Sequence, residues 1–191
     1  MQEAVPVGKG SMLAILGAKI KDIYDLLNSF KEKGVCEIAN DNADGQVIVS
    51  GDKDSVASFQ SLLKEKKIKS IPLKVSAPFH CSLMKSAADK MSDKIKNINF
   101  RNPTHSILSN VTAKIEKNPE NIKKLLIDQI FSTVKWRETI INISNEGVSN
   151  FVEIGPGKVL TGMVKRTVKN VNCFSINSID DIKNLKNEFK K

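Results

Sequence analysis

Over the first 75 residues the apolar positions spell strand, helix, strand, strand, helix, strand. Residues 11–16 form a short apolar run. Ile20, Ile23, Leu27 and Phe30 then fall on one helical face, with Gly34 placed to end that helix. Residues 35–40 read as a second strand, and Asp44-Gly45 as a hairpin turn into residues 46–50. Asp52 is placed to cap a helix whose Val56, Phe59, Leu62 and Leu63 face inward. Ile71, Leu73 and Val75 alternate with Pro72 and Lys74 as a fourth strand. This βαββαβ order is that of the ferredoxin-like unit, an antiparallel sheet covered on one face by two helices.

The rhythm changes after residue 75. Met84, Ala87, Ala88, Met91, Ile95 and Ile98 recur at helical spacing, predicting a helix over about 83–97. A short strand near 106–109 follows, then helices over 119–131 and from Trp136 to Gly147. Residues 150–154 read as a strand, Gly155-Pro156-Gly157 as a turn, and Val159, Leu160, Met163, Val164 and Thr167 as one helix. A strand near Cys173-Phe174 and a basic terminal helix finish the chain. The alternation predicts an α/β layer over residues 76–191, beside a small subdomain over 1–75. About three short strands against five helices is too little sheet for such a layer, so strands are missing from it.

Composition narrows the function classes. The chain has 191 residues, 40% of them hydrophobic and 27% charged, which suits a folded protein with a real core. No apolar run approaches the roughly 18 residues of a membrane span. The first residues do not follow the basic-then-apolar order of a signal peptide, so the expected setting is the cytoplasm. Cys36, Cys81 and Cys173 are far apart and odd in number, which argues against a disulfide framework. With two histidines and no CxxC pair, no metal site is expected. The net charge of +9 favours acidic partners, but aromatic residues at 5% leave little for stacking on bases. Nucleic acid is therefore not expected as a partner.

His80 sits on the turn where the period of two gives way to that of 3.6, a position between rigid elements where catalytic groups tend to be placed. A surface or capping histidine would fit the same spot. Gln129 follows Leu125 and Leu126 on the buried side of its helix, either as a helix-end residue satisfied by backbone or as a polar group aimed into a site. Asn40, Asn42 and Gln46 cluster at the hairpin, as turn residues or as the lining of a cleft. Residues 153–158 join a strand to a helix but match neither Gly-x-Gly-x-x-Gly nor Gly-x4-Gly-Lys-Ser/Thr, so they read as structural. His105 reads as a surface histidine. No Gly-x-Ser-x-Gly elbow occurs in the sequence, and Cys81 is a thiol beside His80 whose side chain should point away from it.

In order and spacing, several stretches resemble the malonyl-CoA:acyl carrier protein transacylase family. They are the initial Met-Gln-Glu-Ala-Val-Pro, residues 10–17 and 45–51, and Pro78-Phe79-His80-Cys81-Ser82-Leu83-Met84. Ser109-Asn110-Val111-Thr112-Ala113, residues 129–136, and the run from Glu153 to Gly162 complete the likeness. The resemblance implies a hydrolase-like α/β acyltransferase subdomain carrying a ferredoxin-like insert, with the active site in the cleft between them. It implies transfer of a malonyl group from coenzyme A, through an acyl-serine, to the phosphopantetheine thiol of acyl carrier protein. His80 matches the general base and acid, and Gln129 the residue whose backbone carbonyl orients the imidazole. Phe79 and Asn42 match substrate-binding positions. A phenylalanine at 79 should crowd a 2-methyl group, so malonyl is expected over methylmalonyl. No cofactor is implied beyond the two thioester substrates, and family members are expected to be monomeric.

The family's elbow serine, oxyanion donors and malonyl-binding arginine have no counterpart here. The chain therefore reads as the C-terminal three-fifths or so of an enzyme of fatty acid synthesis, inactive by itself and exposing apolar surface. A non-catalytic carrier-binding module and an acyltransferase of a polyketide pathway are the alternative readings.

Overall fold

The computed structural model describes residues 4–188. Its elements run β1 (Gly10–Leu16), α1 (Ile20–Ser29), β2 (Cys36–Ala43), β3 (Gln46–Asp52), α2 (Lys53–Glu65) and β4 (Lys69–Pro72). A 3-10 turn, Ser82–Met84, leads into α3 (Lys85–Ile95). After it come β5 (Ile107–Leu108), β6 (Ile115–Glu116), α4 (Pro119–Asp128) and α5 (Trp136–Asn145). The chain ends with β7 (Asn150–Ile154), α6 (Val159–Thr167), β8 (Asn172–Ile176) and α7 (Ile179–Glu188). Two compact units divide it, one ending at Thr139 and one beginning at Ile140.

In the first unit β1 to β4 form one sheet in the order β2-β3-β1-β4, antiparallel throughout. That is the ferredoxin-like arrangement, and strand periodicity explains its core. Leu13, Ile15, Val47 and Val49 point to the helical face, where they are buried with Ile23, Phe59 and Leu63. Phe30 meets Phe59 edge to face there, with ring centroids 5.2 Å apart. The alternate residues Met12, Ala14, Ala39 and Ile48 form a smaller cluster on the opposite face, against Leu73 and Phe79. The two helices cover one face, as that order implies, and the segment with Leu73 and Phe79 packs on the other.

Three local expectations need correction. Asp52 stands at the start of α2 but makes no side-chain cap; its Oδ2 accepts the Val35 N–H at 2.6 Å. Gly34 does not end α1, which stops at Ser29. It has φ +117°, and a Cβ there would lie 2.5 Å from Ser55 Oγ, so it serves the close approach before β2. The fourth strand covers Lys69–Pro72, not residues 71–75. Leu73 still donates to the Met12 carbonyl at 2.9 Å, but Val75 N–H turns back to the Leu73 carbonyl at 3.0 Å, which bends the chain off the sheet.

Glycines admit two close approaches. A Cβ on Gly51 would sit 1.9 Å from the Val35 carbonyl oxygen, and one on Gly10 would sit 2.3 Å from Pro78 Cδ. Strand β1 thus has a flat spot that receives the proline two residues before His80.

The second unit holds β7 and β8 as a parallel pair, with Asn150 opposite Asn172 and Ile154 opposite Ile176. α6 is the crossover that a parallel pair requires. The Glu153 carboxylate accepts the Leu160 and Thr161 N–H groups at 3.1 and 2.7 Å, filling the helix start after the Gly-Pro-Gly turn.

Candidate active site

The His80 turn is gripped on both sides. Pro78 is fully buried against Gly10, and Phe79 N–H bonds to the Ala77 carbonyl at 3.1 Å. His80 then takes φ +60°, a left-handed conformation that costs a non-glycine residue on the order of 1–3 kcal/mol and persists only where its surroundings over-determine it. Here they do. The Cys81 thiol donates to the Pro78 carbonyl at 3.2 Å, closing the turn. Beyond it, Glu37 of β2 accepts from Ser82 N–H at 2.8 Å and from Ser82 Oγ at 2.7 Å.

This conformation brings His80 Nδ1 to 2.9 Å from the backbone carbonyl oxygen of Gln129. Gln129 is the C-cap of α4, and its own N–H bonds back to the Leu125 carbonyl at 2.9 Å. A carbonyl at a helix end has no later N–H to receive, so α4 presents a free acceptor there. A carbonyl oxygen can only accept, so Nδ1 must carry the proton. In the neutral ring Nε2 is then a lone-pair acceptor. A carboxylate is not needed to set that tautomer.

The Gln129 side chain is also held. Its Oε1 accepts from Asn110 Nδ2 at 3.2 Å. Past Gln129 the chain runs along the free edge of β2. Thr133 Oγ1 donates to the Ile38 carbonyl at 2.6 Å, Val134 N–H to the Ala39 carbonyl at 2.8 Å, and Asp41 N–H to the Val134 carbonyl at 2.9 Å. Arg137 Nε lies 3.0 Å from both carboxylate oxygens of the buried Asp41, and its Nη2 lies 2.9 Å from Oδ2. The Asp41 carboxylate raises the guanidinium pKa further. β2 therefore holds the His80 turn through Glu37 and the segment after Gln129 through residues 38–41.

Of the residues picked out from the sequence, His80 and Gln129 are brought into contact. Phe79 lies beside them, half-buried between the cluster around Met84 and that around Met12. Asn42 is half-buried on β2 at the register shift between Asp41 and Ala43, and among the described residues it bonds to neither His80 nor Gln129. His105 is exposed, with Nδ1 3.0 Å from Thr104 Oγ1. Cys81 is fully buried, and burial pushes its thiol pKa up. It has neither the access nor the acidity of a nucleophile. Burial pushes the Cys36 thiol up to about 12. Glu37, Asp41, Asn110 and Arg137 escaped the sequence reading because their partners lie 19 to 96 residues away. Only Asn110 had a signal, since it lies within one of the family-like stretches.

Among the described residues no group of three or more His, Cys, Asp or Glu side chains could hold a metal, and no helix is long and apolar enough to cross a membrane. Residues 9–188 match the acyl transferase domain family. The malonyl CoA-acyl carrier protein transacylase of Haemophilus influenzae is 39% identical over 180 residues, covering 94% of this chain and 58% of the relative. The Bacillus subtilis protein of the same name is 38% identical over 184 residues, again 58% of its length. Among solved structures, an acyl carrier protein S-malonyltransferase from Vibrio cholerae superposes with a TM-score of 0.93 at 38% identity, over 97% of this chain and 61% of that one. A malonyl-transacylase in complex with its type II PKS acyl-carrier protein gives 0.91 at 37% identity, over 97% and 61%. The chain spans about three-fifths of the length of these relatives, and it belongs to the acyl transferase family in which malonyl CoA-acyl carrier protein transacylases are found.

Proposed function

We propose that this chain supplies the histidine half of a malonyl-CoA:acyl carrier protein transacylase. The observation that carries this reading is the 2.9 Å contact between His80 Nδ1 and the Gln129 carbonyl, which leaves Nε2 free to accept a proton. In the first half-reaction, a serine hydroxyl gives its proton to Nε2 as its oxygen attacks the malonyl thioester carbonyl. The tetrahedral intermediate collapses, the carbon–sulfur bond breaks, and the departing coenzyme A thiolate takes the proton from Nε2. In the second, the carrier's phosphopantetheine thiol gives its proton to Nε2 and attacks the acyl-serine. The serine oxygen leaves and recovers the proton. The backbone carbonyl of Gln129 stays on Nδ1 throughout, holding the ring and balancing the imidazolium that forms twice.

The serine of this scheme has no elbow to sit in within these 191 residues. The chain alone should therefore form no acyl-enzyme with labelled malonyl-CoA. The test is a chimera in which the matched stretch of the Haemophilus influenzae relative is replaced by this chain. Malonyl transfer to phosphopantetheinylated carrier by the chimera supports the reading. A chimera that folds and binds carrier without transferring malonyl would favour a non-catalytic binding module. Fatty acid synthesis is the proposed setting, from the sequence relatives; the likeness to a transacylase that serves a type II PKS carrier favours a polyketide pathway as the second reading.

A further inference from the structure

We infer that Asn110 is a positioning residue for His80, acting through the side chain of Gln129. The inference rests on the dyad reading above and adds what makes the Gln129 carbonyl a fixed acceptor. A C-cap carbonyl is poorly constrained by its helix, because the peptide plane after it can rotate once the helical bonds have ended. At Gln129 the peptide unit keeps one local tie, Ile130 N–H on the Ile127 carbonyl at 3.1 Å, and the residue is pinned from outside as well. Asn110 Nδ2 donates to Gln129 Oε1 at 3.2 Å, and the Asn110 carbonyl accepts from Lys135 N–H at 2.9 Å, six residues past Gln129. Asn110 thus bridges the two sides of the bend that carries the acceptor.

The element that presents Asn110 makes little sense otherwise. β5 and β6 pair over only two residues each, Ile107 with Glu116 and Leu108 with Ile115. A hairpin so short does not persist without tertiary anchors. Its ties to the rest of the fold are the two Asn110 contacts and the Glu116 carboxylate, which accepts from Asn121 Nδ2 of α4, while its tip is closed within itself. Ser109 Oγ accepts from Val111 N–H at 3.1 Å, Ala113 N–H bonds to the Ser109 carbonyl at 2.8 Å, and Ala113 is fully buried at φ +55°. The tip is thereby tightened into a loop whose outward polar group, Asn110, meets Gln129. Neither the core nor the sheet needs an asparagine at this place.

The test reads the imidazole directly in the 191-residue chain, so it does not depend on turnover. Nitrogen NMR above the imidazole titration reports which ring nitrogen of His80 carries the proton. The wild-type chain should show the Nδ1–H form, opposite to the Nε2–H form that free imidazole side chains favour in water. Asn110→Ala should shift His80 toward the Nε2–H form, Gln129→Ala should do the same, and the double variant should go no further than either single one. Asn110→Asp, which keeps the shape and lets the Gln129 amide turn and donate instead, should keep the wild-type pattern. It also decides the matter if the alanine variant fails to fold. Unchanged nitrogen shifts in Asn110→Ala, loss of the Nδ1–H form in Asn110→Asp, or additive effects in the double variant would overturn the role of Asn110. A wild-type chain already in the Nε2–H form would overturn the dyad itself, which separates the two failures.

Discussion

A carbonyl in place of a carboxylate changes what the histidine can do. The Gln129 oxygen fixes the tautomer of His80 but carries no full charge, so the imidazolium is stabilised by a dipole at the end of α4 and by the hydrogen bond alone. That suits a reaction whose leaving group is a thiolate, which needs less help than an amine. Phe79 stands next to this histidine, and it packs against two buried clusters, the one that includes Met12 and Ala14 and the one that includes Met84. A ring so held cannot swing away cheaply from a branched acyl group. In the chimera, Phe79→Ser should raise kcat/KM for methylmalonyl-CoA relative to malonyl-CoA by roughly 10-fold, the scale of one methyl-sized clash. Parallel assays on the two thioesters measure it, and an unchanged ratio would remove Phe79 from selectivity.

At the scale of elements, strand and helix periods were legible because each buried face repeats within a few residues. Leu13 and Ile15, or Val56, Phe59 and Leu63, announce their faces without knowledge of a partner. The ferredoxin-like order followed from the same signals. β6 was not legible, since two residues carry no period. The helix before β2 ends short of Gly34 because that glycine answers to Ser55 and Asp52 across the fold, and β4 ends early because Val75 N–H turns back on the Leu73 carbonyl. The site divides the same way. His80 stood out on its turn, and Gln129 gained its role only through family likeness, whereas Glu37, Asp41 and Asn110 depend on contacts that no local pattern encodes. In the second unit, Glu153 shows how a turn that looks like a phosphate loop can be closed to anions. Its own carboxylate occupies the α6 start, and the Thr161 N–H bond, with help from Leu160, lowers its pKa. A group with a lowered folded pKa stabilises above the ordinary carboxylate range, and that contribution is lost as pH falls through the lowered value. Amide exchange at Leu160 and Thr161 should therefore lose protection on acidification. Glu153→Gln should show weaker protection at neutral pH and no such pH dependence; an acid response equal to wild type would contradict the cap.

At the scale of the whole molecule, the two compact units differ in how much sheet they hold. The first has a four-stranded sheet with both faces covered, and the His80–Gln129 contact lies wholly inside it. The second has two parallel strands, although parallel sheets ordinarily bury both faces. Ile154 at 80% and Ile179 at 73% exposure mark apolar surface there. The chain spans about 58% of the length of these curated relatives. The net charge of +9 favours acidic partners by electrostatic steering. If His80 is the general base of the proposed transfer, its removal must show in the transfer rate itself. In the active chimera, His80→Ala should lower malonyl transfer from coenzyme A to carrier by roughly 10²–10⁴-fold. Transfer within a few fold of the parent chimera would contradict the assignment of His80.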